Sequence, residues 1–258
     1  MSSDAISRIL DGIPIPPMAR IRQHLPEETL PDVAAAARTA MDREVLRKKI
    51  RPGMRVAITA GSRGIFGMKD MLREAAAFVR SCGGDPFLIP AMGSHGGATA
   101  DGQRDVLTRY GITEETVGAP IRATMETVKI GELPDSTPVY IDRYAAEADG
   151  IILVNRIKCH TGFRGRYESG LFKMMAIGLG KQYGAQTVHG RGADKMGESI
   201  ELFGKAILQN ANVLLGLAVI ENAIDMPYQI VALTPQEIID QEPDYLTLAR
   251  QLMPRILF

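Results

Sequence analysis

The stretch RVAITAGSRGIFGMKDMLREAAAFVRSCGGDPFLIPA, residues 55–91, places two short apolar runs on either side of one amphipathic window. The runs RVAITA (55–60) and PFLIPA (86–91) are typical of buried strands. The window between them favours a helix that starts near Met68 and ends at the glycine pair Gly83–Gly84. A strand, a helix and a second strand in this order predict a parallel β-α-β unit, and hence an α/β fold.

The same alternation continues along the chain. Further helical windows and strand-like runs are TADGQRDVLTRYG (99–111), PVYID (138–142), GIILVN (150–155), DKMGESIELFGKAILQN (194–210), NVLLGLAVIE (212–221) and YQIVAL (228–233). The last two runs can also pair as an antiparallel hairpin. We therefore expect an α/β, Rossmann-like fold with a mixed, mostly parallel sheet flanked by helices.

The two ends of the chain carry their own signals. A proline-rich stretch, GIPIPPMARI (12–21), predicts an extended lead, and residues 30–48 favour a helix after it. Near the other end, Thr234-Pro235-Gln236-Glu237 forms a capping box with proline at the first helical position, which predicts a last helix. The final PRILF (254–258) is typical of a chain that begins a new strand.

The composition excludes several classes of protein. Lys plus Arg and Asp plus Glu number 30 each in the 258 residues, so the charge gives no support for a nucleic-acid surface or a polybasic membrane anchor. No run approaches the roughly 20 apolar residues of a membrane span. Cys82 and Cys159 are too few for a disulfide framework, which favours a cytoplasmic location.

Unusual polar residues follow three of the predicted strands. Arg63 lies in the turn GSRG after the first strand, His95 in GSHGG after the second, and His160 in RIKCHTG after GIILVN. Open α/β sheets bind ligands at the carboxyl ends of their strands, and glycines there let the backbone approach a ligand or a phosphate closely. The candidate cofactor-contacting residues in these turns and in the following loop are Ser62, Gly93, Gly96, Ser169 and Gly170.

These residues also allow other interpretations. The segment AITAGSRGIFG is similar to the cofactor turn of short-chain dehydrogenases, but none of the seven tyrosines has a lysine four residues later, so the catalytic pair of that family is missing. His95, His160 and His189 could instead form a three-histidine zinc site, although no helical His-x-x-x-His spacing supports it. Lys173, between Phe172 and Met174, could simply bury its stem and keep its ammonium in water.

Taken together, these residues resemble the N-terminal domain of the nickel-dependent lactate racemase family. That family has a histidine in a glycine-rich turn, a second histidine that opens a loop, a lysine, and a third histidine sixteen residues after the lysine. The matching residues here are His95, His160, Gly162-Phe163, Ser169-Gly170, Lys173 and His189.

The resemblance implies a nickel-pincer nucleotide as cofactor and a 2-hydroxy acid as substrate. Lys173 would be tethered to the cofactor, and His189 would be the protein ligand of nickel, a metal that accepts sulfur donors and imidazole. His95 and His160 would be the two acid/base catalysts of a racemase or epimerase, a role that suits the pKa of histidine. Arg63 would hold the substrate carboxylate. Partners would include cofactor-assembling enzymes, and a homo-oligomer is possible.

The sequence also departs from the family. Five residues, RGRYE (164–168), are inserted before Ser169-Gly170, and Arg164 and Arg166 are expected to contact a cofactor phosphate or a more acidic substrate. Ala60 replaces an acidic residue of the family. We expect residues 1–258 to form a single α/β domain with a helical lead of about 50 residues. The family's C-terminal domain is expected to be absent from this chain, which alone could then be inactive.

Two rival functions remain open at this stage. One is a zinc-dependent hydrolase that uses the three histidines. The other is a non-catalytic domain that binds a nucleotide or a phosphate through the glycines and arginines.

Overall fold

A five-stranded sheet forms the centre of the computed structural model, which describes residues 3–14 and 17–254. The strands of the protein are β1 (Arg55–Ala60), β2 (Asp85–Pro90), β3 (Thr127–Glu132), β4 (Pro138–Asp142), β5 (Gly150–Arg156), β6 (Val213–Glu221) and β7 (Pro227–Leu233). The order in the sheet is β2-β1-β5-β6-β7, with β7 antiparallel to β6 and all other pairs parallel. β3 and β4 form a separate antiparallel pair. The predicted mixed, mostly parallel sheet is confirmed.

Helices cover both faces of this sheet. They are α1 (Ser3–Leu10), α2 (Val33–Met41), α3 (Glu44–Arg47), α4 (Met68–Ser81), α5 (Ala100–Arg109), α6 (Glu114–Val117), α7 (Arg143–Ala146), α8 (Leu171–Lys173), α9 (Lys181–His189), α10 (Met196–Asn210) and α11 (Pro235–Leu252). A 3₁₀ turn occupies Gly96–Ala98, and a π-helical segment occupies Met174–Leu179. No helix in residues 3–14 and 17–254 is long and apolar enough to cross a lipid bilayer.

The N-terminal lead contains a helix at residues 3–10, within the expected helical lead of about 50 residues. It differs from its prediction in one respect. The helix expected over 30–48 is divided into α2 and α3 at Asp42 and Arg43. Arg43 takes an extended conformation and binds Glu237 and the carbonyl of Ala232, so a distant contact overrides the local helix propensity. Residues 15–16 of the predicted extended stretch and 255–258 of the predicted terminal strand lie outside the described residues.

The last helix begins as its sequence predicts. Thr234 accepts the backbone N–H of Glu237, and the Glu237 carboxylate accepts the backbone N–H of Thr234, which completes the capping box. The helix α11 then packs against the face of the sheet that also carries α8 and α10. This position brings α11 under the loop that connects β5 to α8.

Candidate functional site

A cavity of about 600 Å³ opens where β1, β2 and β5 end. Three parallel strands deliver their following turns to this edge, because the carboxyl ends of parallel strands point the same way. Six of the residues predicted from the sequence line the cavity: Ser62, Arg63, His95, His160, Ser169 and Lys173. The structure therefore brings together the strand-end residues of β1, β2 and β5 and the lysine of the following helix.

The wall of this cavity is basic. Arg63, Arg156, Lys158 and Lys173 line it, and among the described residues of the lining there is no Asp or Glu. Arg156 is ion-paired with the buried carboxylate of Glu221 behind the wall, so its charge is largely compensated. The other three cations are not matched by a carboxylate in the lining. The cavity is thus suited to a ligand that carries one or more negative charges.

His95 lies in the turn between β2 and α5, directly before the 3₁₀ turn at Gly96–Ala98. Its backbone N–H donates to the carbonyl of Met92 at 3.1 Å. Burial lowers the pKa of the His95 imidazole, and the positive charges of Arg63 and Lys173 lower it further. The ring is therefore neutral at pH 7 and can accept a proton.

His160 is held by its own loop. Its backbone N–H donates to the Glu168 carboxylate at 2.7 Å, and the N–H of Gly162 donates to its Nδ1 at 3.1 Å. With Nδ1 accepting, the neutral ring carries its proton on Nε2. The ring stacks on Phe163 with centroids 4.1 Å apart. Burial and the charge of Lys173 lower the pKa of the His160 imidazole, against the opposing effect of Glu168.

Lys173 is the last residue of the short helix α8 and is followed at once by the π-helical segment. Such single π-helical turns often occur at functional sites. Burial lowers the pKa of the Lys173 amine to about 8, and Arg63 and Lys158 contribute in the same direction. The ammonium lies over the ring of Phe163, 5.8 Å from its centroid. About one tenth of this amine is therefore uncharged and nucleophilic at pH 7, far more than for an ordinary lysine.

The inserted residues 164–168 form a brace and do not extend into the cavity. Tyr167 is fully buried, stacks on Phe172 with centroids 3.6 Å apart, and donates from its hydroxyl to the carbonyl of Ile239 at 2.7 Å. Glu168, also buried, accepts Arg250 Nη2 at 2.6 Å as well as the N–H of His160. The loop that carries His160 is thus fastened to α11.

The two arginines of the insertion do not take the role expected from the sequence. Arg164 is exposed and donates to the backbone carbonyls of His160 and Phe163. Arg166 lies over the ring of Tyr167. Neither lines the cavity. Contact between these arginines and a ligand therefore has no support in the geometry, and the basic residues of the cavity wall are others.

A second contact from α11 reaches the helix of Lys173. The Glu242 carboxyl is buried and accepts the backbone N–H of Phe172 at 3.2 Å. Gly170, which precedes this helix, provides no side-chain cap, so Glu242 satisfies a free N–H of the first turn in its place. Glu168, Glu242 and Arg250 were not predicted as site residues, since no local pattern marks a contact made across 70 or 82 positions of the chain.

The remaining predicted residues do not line the cavity. Gly93 and Gly96 have positive φ values in the His95 turn. Gly170 packs so closely on Glu242 that an added Cβ would lie 2.1 Å from its Oε1. His189 is exposed at the end of α9 and is not among the residues that line the cavity.

The zinc alternative finds no support in this arrangement. Among the described residues, no three His, Cys, Asp or Glu side chains lie close enough together to hold a metal ion. His189 lies apart from the cavity that His95 and His160 line. A site built on these three histidines is therefore not present.

Residues 18–214 match the lactate racemase N-terminal domain. No curated protein sequence gives a significant match. The fold is similar to that of the lactate racemase apoprotein from Thermoanaerobacterium thermosaccharolyticum, with a TM-score of 0.59 and 14% sequence identity. The alignment covers 86% of this chain and 58% of that chain, so this protein spans little more than half of its structural neighbour.

The structural likeness, at this low identity, supports the fold. The family assignment rests on the sequence match, which covers more than half of the chain and includes all the histidine and lysine positions of the motif. It is consistent with the basic cavity that gathers Arg63, His95, His160 and Lys173 at the strand ends. On these grounds the chain belongs to the lactate racemase N-terminal domain family.

Proposed function

We propose that this protein interconverts the stereoisomers of a 2-hydroxy acid, as a racemase or epimerase. The observation that carries the proposal is the cavity that collects two imidazoles of lowered pKa, a basic guanidinium and an amine with a pKa of about 8. Two imidazoles allow proton transfer to and from the substrate hydroxyl. The guanidinium of Arg63 can hold the substrate carboxylate with two parallel hydrogen bonds.

We further propose that the cofactor is a nickel-pincer nucleotide. The donor set of the cavity fits an anionic nucleotide with an acyl-type arm: Lys173 provides a partly uncharged amine, and Arg63 and Lys158 provide positive charge. When bound, the cofactor would supply the centre that accepts and returns hydride. His189 is the proposed nickel ligand on the basis of its spacing from Lys173 alone, since it does not line the cavity.

The residues of the chain would divide the remaining work. Arg63 orients the carboxylate, so that the hydroxyl-bearing carbon has a fixed position between the histidines. One imidazole, in its neutral form, would take the proton of the substrate hydroxyl, and the other, in its protonated form, would return a proton to that oxygen when the opposite stereoisomer forms. Exchange with water would restore the two rings. The lowered pKa values make the neutral form the major one at pH 7, and the protonated partner is the minor form, whose share grows as the pH falls.

The test uses protein produced together with cofactor-assembling enzymes. Its intact mass should show a covalent adduct that is lost in Lys173→Ala and kept in His189→Ala, while His189→Ala should lose nickel. Racemisation is then followed by chiral chromatography on a panel of 2-hydroxy acids, and His95→Ala or His160→Ala should lower the rate at least about 100-fold.

His24 provides the matched control, because it is the fourth histidine of the chain and is exposed in the N-terminal lead. His24→Ala should retain the native rate. Racemisation that survives the loss of both His95 and His160 would contradict the catalytic assignment. Binding of an anion or nucleotide without turnover on any substrate of the panel would instead support the non-catalytic rival, which the basic cavity also accommodates.

A further inference from the structure

A buried lysine, Lys181, lies midway between Lys173 and His189 in the sequence and takes no part in the proposed chemistry. Lys181 is fully buried and opens α9, with a φ of +52° that is unfavourable for a residue with a side chain. Its ammonium is ion-paired with Asp142 at the end of β4, at 2.8 Å, and Asp142 is also fully buried. A strained backbone and two desolvated charges are both costly, so this arrangement calls for a specific explanation.

The ammonium connects two parts of the molecule. Besides Asp142, it donates to the carbonyl of Pro90, the last residue of β2, and to Gln103 Oε1 at 3.1 Å. Gln103 is itself fully buried on α5, and its Nε2 donates to the carbonyl of Gly93 at 2.8 Å and to that of His95 at 3.2 Å. A continuous buried network thus runs from Asp142 to the backbone of the His95 turn.

This turn needs support from outside its own sequence. Gly93, Gly96 and Gly97 all have positive φ values, and glycine restricts the backbone less than any other residue. The two carbonyls that Gln103 binds lie at either end of the segment from Gly93 to His95. Because Gln103 holds both carbonyls, the backbone of this turn is less free to rotate, and the His95 imidazole moves less.

We propose that Lys181, Asp142 and Gln103 are positioning residues that set the place of His95 in the cavity relative to Lys173. Because Lys181 begins the helix that follows the π-helical segment of Lys173, the network ties the two catalytic segments to one buried ion pair. The role of His95 in catalysis rests on the proposed function, whereas the positioning of His95 by the buried network does not depend on it.

The experiment measures the histidines of the cofactor-free protein by NMR. The chain has four histidines, so their imidazole signals can be assigned and titrated one by one. Gln103→Met keeps the size of the side chain and removes both donors to the turn. We expect the pKa of His95 to move towards its ordinary value by about 0.3 unit or more, because the imidazole of a loosened turn becomes less buried and moves away from Arg63 and Lys173. His160 should titrate as in the native protein.

A second variant, with two substitutions, disrupts the network at its other end. Lys181→Met combined with Asp142→Asn removes both buried charges and leaves Oδ1 of residue 142 to cap α7 through the N–H groups of Tyr144 and Ala145. The same selective change at His95 is expected. Gln209→Met, at an exposed glutamine on α10, is the matched control and should change no histidine signal.

Each outcome decides the proposal. A selective change at His95 in a folded variant supports it. A folded Gln103→Met protein in which His95 titrates as in the native chain overturns it. Loss of folding in both variants would also overturn it, by assigning the network to the stability of the whole fold. No turnover is measured, so a failure of the racemase proposal leaves this result unaffected. In cofactor-loaded protein, Gln103→Met should lower kcat about tenfold with little change in KM.

Discussion

The Glu242 carboxyl accepts the backbone N–H of Phe172 at 3.2 Å, and Phe172 directly precedes Lys173. The proposed cofactor lysine therefore sits on a helix whose first turn is capped by a residue 70 positions later in the chain. Burial raises the pKa of Glu242 to about 8, so the carboxyl is mostly protonated at neutral pH.

The first prediction concerns the pH dependence of stability. The pKa of Glu242 is higher in the folded protein than in the unfolded chain, where it is 4.5. Its contribution to the free energy of unfolding is therefore complete below about pH 4.5 and is lost as the pH rises towards 8. Glu242→Gln keeps an oxygen acceptor and cannot ionise. Urea unfolding should show the variant close to the native protein at pH 5 and more stable by at least about 1 kcal/mol at pH 8.

Glu198→Gln, at an exposed carboxyl on α10, is the matched control and should follow the native pH profile. A Glu242→Gln protein whose stability stays parallel to the native curve from pH 5 to 8 would contradict the assignment.

The second prediction tests the close packing of Gly170 on Glu242. An alanine Cβ at position 170 would lie 2.1 Å from Glu242 Oε1, so the carboxyl must move away from the N–H groups it caps. Gly170→Ala should lower the free energy of unfolding by about 1–3 kcal/mol. Combined with Glu242→Ala, its effect should be clearly less than additive, since both changes remove the same contact.

Gly162→Ala serves as the reference in the same loop, because the nearest atom to its added Cβ is 3.8 Å away. Strict additivity of the Gly170 and Glu242 substitutions would show that the two positions do not interact.

The third prediction concerns the reactivity of Lys173. With a pKa of about 8, its amine should be acylated at pH 7.5 ahead of the other lysines of the chain. Competitive labelling followed by peptide mass spectrometry measures this directly and should give half-maximal reactivity near pH 8. Arg63→Met removes a positive charge that lowers this pKa, so the midpoint should move to higher pH.

Arg109→Met, at an exposed arginine on α5, should leave the midpoint where it is in the native protein. If Lys173 were labelled together with the surface lysines in the native chain, the environment described for it would be incorrect.

The fourth prediction concerns the brace between the His160 loop and α11. Arg250→Met removes the hydrogen-bonded cation of the buried Glu168 carboxylate, although the N–H of His160 still donates to it and Arg164 remains 4.0 Å away. Because Arg250 is partly exposed, we expect a loss of about 1–2 kcal/mol in the free energy of unfolding, below the cost for a fully buried pair. Hydrogen exchange of the His160 amide should accelerate with it.

Lys48→Met breaks the exposed pair of Lys48 with Glu44 and should cost less than about 0.5 kcal/mol. Equal effects of the two substitutions would contradict the bracing role of Arg250.

The sequence was sufficient for the part of the site that depends on local patterns. Arg63, His95 and His160 could be placed together because each follows a recognisable strand, and parallel strands deliver their turns to one edge. Lys173 was identified through the spacing of the family motif. The capping box of α11 was equally visible, since its two partners lie three residues apart.

Contacts between residues that are far apart in the sequence could not be predicted from local patterns. Glu168 belongs to an insertion whose charged residues and glycine are typical of a surface loop, and only its docking on α11 shows that it is buried. The division of the predicted helix at Arg43 likewise depends on Glu237, 194 positions away. The place of His189 outside the cavity lining could not be inferred from its sixteen-residue interval, which fixes a distance along the chain and not a direction in space.

The position of α11 has a consequence for anyone who wishes to dissect this protein. The family match ends at residue 214, inside β6, whereas the groups that clasp the His160 loop and the Lys173 helix come from residues 235–252. A fragment trimmed to the matched boundary would keep every residue of the motif, and yet would lose the edge strand, the partner of Glu168 and the cap of the lysine helix. The smallest portion that preserves the site is therefore longer than the portion by which the family is recognised.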